Sequence, residues 1–134
     1  MRIVLLIYFL SLFGVIFSIQ NKSMEQSIEG GSMIYDDFCI QCHGPLGKGL
    51  IKTIPPLAKS DFLLNIEKSI SIIKYGAKGP VIVNNIEYEG NSMMSQGLDA
   101  EEISDVLNYI KNNWGNSDKK QVTVEDVNNI KNPI

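Results

Sequence analysis

An all-α domain led by an apolar N-terminal helix is the fold class this sequence predicts, and three observations predict it. Residues 3–19 hold 14 apolar side chains in 17 and no charge. Segments 61–75 and 99–113 repeat apolar residues at the 3.6-residue period of a helix, and only the short stretch VIVNNIEY, two apolar runs about a turn, reads as a small hairpin. At 134 residues the chain has the length of one domain, which excludes a second. The 44% hydrophobic content is unevenly spread, because from Gln20 onward only 44 of 115 residues are apolar. A body of roughly 90–110 residues with so few apolar side chains has a thin core and needs a staple, a metal or a cofactor.

The elements follow in order. Met1 and Arg2 form a short positive n-region before the apolar run. Its 17 residues exceed the roughly 7–15 of a cleavable signal and only reach the lower limit of a spanning helix. Residues 1–20 are therefore read as a signal peptide or an uncleaved membrane anchor, and either sends the remainder out of the cytoplasm. No Ala-x-Ala cleavage site is present, and Ser18 is the best substitute. Residues 21–30 are read as a polar linker, with a reach of about 35 Å.

A helix is expected over 31–40, with Ile34, Tyr35 and Phe38 at helical spacing. The segment from Gly44 to Ser60 contains Pro45, Pro55 and Pro56, which break helix and ladder alike. Over 61–75 a helix starts behind Asp61 or Asn65, turns Ile66, Ile70 and Ile73 to one face, and stops at Gly76. Asn84-Asn85 between two short apolar runs predicts a small hairpin. The clearest helix spans 99–113, with Asp99 as N-cap, Glu101 and Glu102 in the first turn, Ile103, Val106, Leu107 and Ile110 as the buried stripe, and Gly115 as its end. Residues 117–134 read as a polar C-terminal tail, with a last short helix expected over Thr123–Ile130.

One motif carries chemistry. Cys39-Ile40-Gln41-Cys42-His43 has the C-x-x-C-H spacing of c-type haem attachment. Two thiols three positions apart match the two vinyl groups on one edge of the macrocycle, and the following histidine is carried to the iron as its proximal ligand. Zinc would need four ligands, and the chain has two cysteines and a single histidine. A thioredoxin-like pair needs a βαβ rhythm, which the glycine- and proline-rich GPLGKGLIKTIPPLAKS lacks. A structural disulfide would leave the unique His43 without a purpose. The cofactor expected is one covalent haem c. A thioether suits the sixth position of its iron, and the methionines in a downstream loop are Met93 and Met94, set among Gly90, Asn91, Ser92, Ser95, Gln96 and Gly97.

Four stretches in order, YDDFCIQCHGPLGKGL, PPLAKSDF, KGPVIVNNIEYEG and MMSQGLDAEEISDVLNYIKNNWGN, together resemble a mono-haem class I cytochrome c domain. The resemblance is to the bacterial branch, found as small soluble cytochromes and as cytochrome subunits or fused domains of dehydrogenases and nitrite reductases. It covers residues 31–116 and implies the class I cytochrome c fold wrapped around one haem. It also implies a helix crossing built on Gly31, Tyr35, Val106 and Tyr109, with Trp114 closing the domain by packing. Pro55, or alternatively Pro56, is implied as the carbonyl that orients the histidine. Met93 is implied as the axial methionine, with Met94 the alternative because the family's Met-Pro is Met-Met here.

A His/Met haem leaves no vacant site for a substrate, so the expected role is outer-sphere one-electron transfer on the periplasmic side: a carrier and not an enzyme. Its partners would be a dehydrogenase, a reductase or a terminal oxidase, with membrane contact through the N-terminal segment if that is uncleaved. The alternatives are a permanent cytochrome subunit of a membrane oxidoreductase complex, or a haem sensor or peroxidase with a displaceable sixth ligand. A net charge of −3 and a pI near 5.1 exclude nucleic acid. From Gly44 to Pro80 there are six lysines, Lys48, Lys52, Lys59, Lys68, Lys74 and Lys78, against Asp61 and Glu67, whereas Glu87 to Tyr109 holds six acidic residues and no base. That asymmetry reads either as a docking surface for an acidic partner or as ordinary solvated surface.

Overall fold

A computed structural model of the chain describes residues 2–19, 22–89 and 92–132. The expectations for Met1 in the n-region, Gln20 and Asn21 next to the linker, Gly90 and Asn91 in the methionine loop, and Pro133 and Ile134 in the tail lie outside the described residues.

Helix α1 (Arg2–Ile19) forms where the apolar run predicts it, and Ile3 through Phe13 are all exposed. Its 18 residues reach about 27 Å, just under the roughly 30 Å of a bilayer's hydrocarbon core. Among the described residues no helix is long and apolar enough to cross a membrane.

Helix α2 (Met24–Phe38) begins seven residues before the expected start at 31, so most of the expected linker is helix. The Ser23 side chain accepts from the Gln26 N–H, and the Gln26 side chain returns to the Ser23 N–H, a capping box that satisfies two otherwise unpaired donors. Ser27, Gly31 and Tyr35, four residues apart, form the buried stripe. They lie on helix α5 (Ala100–Lys111), whose cap is the expected one: Asp99 accepts from the N–H groups of Glu101 and Glu102, each at 2.9 Å. Helix α5 ends at Lys111, two residues short of the expected 113; Trp114 (φ 49°) and Gly115 (φ 85°) then turn the chain in the left-handed region.

The two helices cross at Gly31. A Cβ there would collide with the Asp105 backbone carbonyl and lie 2.8 Å from Tyr109 Cβ, so only glycine permits the approach. Beyond α2, Cys39 is both its C-cap and the start of the one-turn helix α3 (Ile40–His43).

The expected helix 61–75 divides at Asn65 into a 3-10 turn, Asp61–Leu64, and helix α4 (Ile66–Tyr75), because the Asn65 side chain caps the Lys68 N–H. Strands β1 (Val81–Val83) and β2 (Ile86–Tyr88) pair antiparallel around Asn84 and Asn85, both at positive φ as a two-residue hairpin turn requires. The Asp61 carboxylate accepts from the Asn84 N–H at 2.7 Å, which ties the hairpin to the 3-10 turn.

The segment from 117 corrects the reading of a polar tail. Helix α6 (Val124–Asn129) forms inside the expected span, and Val122 and Val127 are buried in one cluster with Ile70, Ile103 and Leu107. The fully buried Asn108 of α5 fixes the segment: its amide donates to the Val122 carbonyl at 2.9 Å and accepts from the Val122 N–H at 2.8 Å. We refer to residues 117–130 as the strap.

Replacing Gly31 by valine should destabilise the haem-loaded protein by roughly 3 kcal/mol, since backbone sits where the new side chain would go. Urea unfolding followed by far-UV circular dichroism measures this, and a loss near zero would contradict the crossing.

Candidate cofactor site

The site is assembled where α2 ends. Because Cys39 closes α2 and opens α3, a single helical turn presents Cys39, Cys42 and His43 together. Gly44 (φ 73°) then leads the chain away, and its carbonyl accepts a 2.7 Å hydrogen bond from the Tyr35 hydroxyl. That bond ties the cysteine turn back to the helix crossing.

His43 is buried, and its Nδ1 lies 3.2 Å from the Pro55 carbonyl oxygen. A carbonyl only accepts, so Nδ1 carries the proton and Nε2 is left with its lone pair. Burial lowers the imidazole pKa, with the Pro55 carbonyl acting in the opposite sense, so the ring is held in the neutral form that ligates. Of the two prolines considered, Pro55 makes this contact. Burial, reinforced by the charge of Cys42, raises the Cys39 thiol to about 11.

A cavity of about 470 Å³ opens in front of these groups. Cys39, Cys42, His43, Pro55, Met93 and Met94 all border it, so the sequence-predicted site residues are brought to one place. A smaller adjoining space of about 160 Å³ is bordered by Cys42, His43, Pro55 and Met93, and not by Met94. Met93 is half-buried and Met94 is 74% exposed. The Met93 backbone is fixed by a bridge to Ala77, whose N–H donates to the Met93 carbonyl at 2.7 Å.

The walls were only partly visible in the sequence. Leu63, Ile72, Ile73, Val83, Leu107 and Ile110 supply apolar surface from the 3-10 turn, α4, β1 and α5. The periodicity marked Leu107 and Ile110 as buried, but nothing local shows that they face a cavity. Tyr88 was missed as a lining residue. It is buried and borders the smaller space, but Ile86 and Glu87 of the same strand are exposed, so no alternation in the sequence marks it.

A sequence model of the family described as Cytochrome c matches residues 28–114. The chain belongs to the cytochrome c family. It is 33% identical over 110 residues to cytochrome c-552 of Thermus thermophilus, an alignment spanning 75% of this chain and 83% of that protein. It is also 32% identical over 104 residues to the cytochrome c subunit of the alcohol dehydrogenase (quinone) of Gluconacetobacter polyoxogenes, spanning 75% of this chain and 22% of that one. The group this cytochrome carries is accordingly a covalently bound haem c.

The residues present fit that group. Two thiols at C-x-x-C spacing stand at the cavity edge, a neutral imidazole keeps Nε2 available, and the walls offer an apolar interior large enough for a cofactor. A variant with both Cys39→Ser and Cys42→Ser should show no haem on a denaturing, peroxidase-stained gel. A haem-positive band of the parent's intensity would contradict attachment at this turn.

Proposed function

We propose that this cytochrome carries single electrons outside the cytoplasm, with His43 and Met93 as the two axial ligands of its haem iron. The haem supplies the one-electron chemistry, passing between ferrous and ferric states. The chain's own residues do the rest. His43 offers Nε2, and the Pro55 carbonyl holds the ring's orientation and raises its basicity through Nδ1. The apolar walls exclude water, which favours the less charged ferrous state and so raises the potential. The observation that carries this reading is that the chain's one histidine and a half-buried methionine, fifty residues apart in sequence, border the same cavity.

Met93 is preferred over Met94 because it is the more buried, borders both spaces and has its backbone fixed to Ala77. Met93→Ala should lower the reduction potential and let the ferrous protein bind carbon monoxide, read by redox titration and optical spectroscopy. The same two changes produced by Met94→Ala and not by Met93→Ala would reassign the ligand.

The exposed apolar helix α1 supports export and membrane attachment by this segment, with the haem domain held close by, since only residues 20–23 separate α1 from α2. A carrier anchored in this way should stay in the membrane fraction through a high-salt wash. Recovery in the soluble periplasmic fraction would show a cleaved signal instead.

A second reading is favoured by one finding, the similarity to a cytochrome c subunit of a quinone-dependent alcohol dehydrogenase. In that reading the domain is a fixed subunit that receives electrons from a dehydrogenase bound to it, and co-purification of a stoichiometric partner in mild detergent separates it from a shuttle.

A further inference from the structure

Helix α4 ends between two parts of the molecule that have no sequence proximity. On one side the Lys74 ammonium donates to the carbonyls of Val127 at 2.8 Å and Ile130 at 3.1 Å, and the Tyr75 hydroxyl donates to the same Ile130 carbonyl at 2.9 Å. These carbonyls lie at the C-terminal end of α6, where that of Val127 also accepts from the Ile130 N–H at 3.3 Å, and a cation there suits the helix dipole. On the other side, the Lys74 carbonyl accepts from the Ser95 hydroxyl at 2.8 Å, and the Ala77 N–H donates to the Met93 carbonyl at 2.7 Å. Gly76 lies between these contacts, and a Cβ there would sit 2.7 Å from the Met93 carbonyl oxygen. Four consecutive residues, 74–77, therefore bind the strap with two side chains and the methionine loop with backbone groups.

We propose that Lys74 and Tyr75 are positioning residues for the sixth iron ligand: by anchoring the end of α4 to the strap, they hold the Met93 loop in place and set how readily that methionine is displaced. The inference rests on the reading of Met93 as the ligand. Loss of these anchors frees the end of α4, and with it the Ala77 and Ser95 contacts, while the α2–α5 contact at Gly31 uses none of these hydrogen bonds. The half-buried Lys74 also leaves the set of lysines available for docking, because its charge is turned inward onto α6.

The test is imidazole binding to the ferric, haem-loaded, full-length protein, followed by its optical spectrum, beside urea unfolding of the same samples. The double variant Lys74→Met, Tyr75→Phe keeps the apolar stems and removes the three hydrogen bonds to the strap. It should bind imidazole five- to fifty-fold more tightly than the parent, and restoring tyrosine at 75 with Lys74→Arg should recover most of the difference. Ser23→Ala, which removes the α2 cap and none of the contacts made by residues 74–77, lowers global stability and should leave imidazole affinity at the parent's value. Unchanged affinity in the double variant would overturn the inference, as would an equal gain in Ser23→Ala, which would make the effect one of general stability. If the parent already binds imidazole as tightly as Met93→Ala, the ligand assignment itself fails and takes this inference with it.

Discussion

Gly31 lets two helix backbones approach so closely that any Cβ would collide, and the placement of the cysteine turn and of the α5 wall depends on that contact. With α2 seated on the Asp105 carbonyl, Tyr35 falls against Val106, and its ring meets Trp114 and Tyr109 at centroid distances of 4.9 and 5.5 Å. The Tyr35 hydroxyl then reaches Gly44 and holds the turn that carries His43. Helix α5, fixed by the same contact, turns Leu107 and Ile110 toward the cavity. The geometry at the iron side is thus inherited from a packing contact two helical turns away, where no catalytic or ligating atom is involved.

The core is divided rather than missing. One cluster joins Tyr35, Val106 and Ile110, and another joins Ile70, Ile103, Leu107, Val122 and Val127, with Ile73 and Leu98 packed against both. The cavity sits where these clusters meet the hairpin. Apolar walls on several elements gain burial only when an apolar body fills the space between them. The low hydrophobic content from Gln20 onward and the cavity are two expressions of one arrangement, in which part of the interior is contributed by the cofactor.

What could be read from the sequence was what depends on neighbours in the chain. The Cys39–His43 spacing, the Asn84-Asn85 turn, the Asp99 cap and the stripe on α5 are local chemistry, and each has its counterpart in the structure. The start of α2 was misread because Gly30-Gly31 and the polar residues before them look like linker, although Ser23 and Gln26 already had capping-box spacing. The strap was misread for a different reason. The short helix over Thr123–Ile130 was legible, but the burial of Val122 and Val127 follows from Asn108, Lys74 and Tyr75, partners that only the folded chain brings near. Lys74 shows the same limit for charge, since counting lysines does not reveal which ones spend their charge internally.

The strap closes the molecule at both ends. The Gln121 side chain donates to the Lys22 carbonyl, Lys22 pairs with the buried Asp105, and Asn108 donates to Ser27, 81 residues away in sequence. Contacts of such separation form late, because the loop between the partners must first be closed. A chain lacking the segment through Val127 leaves the α5 surface around Ile103 and Leu107 uncovered. The cysteine turn precedes the strap in the chain, so it is synthesised before the strap's contacts with α5 can form. The order of residues along the chain thereby sets a time window for attaching the haem before the fold shuts around it.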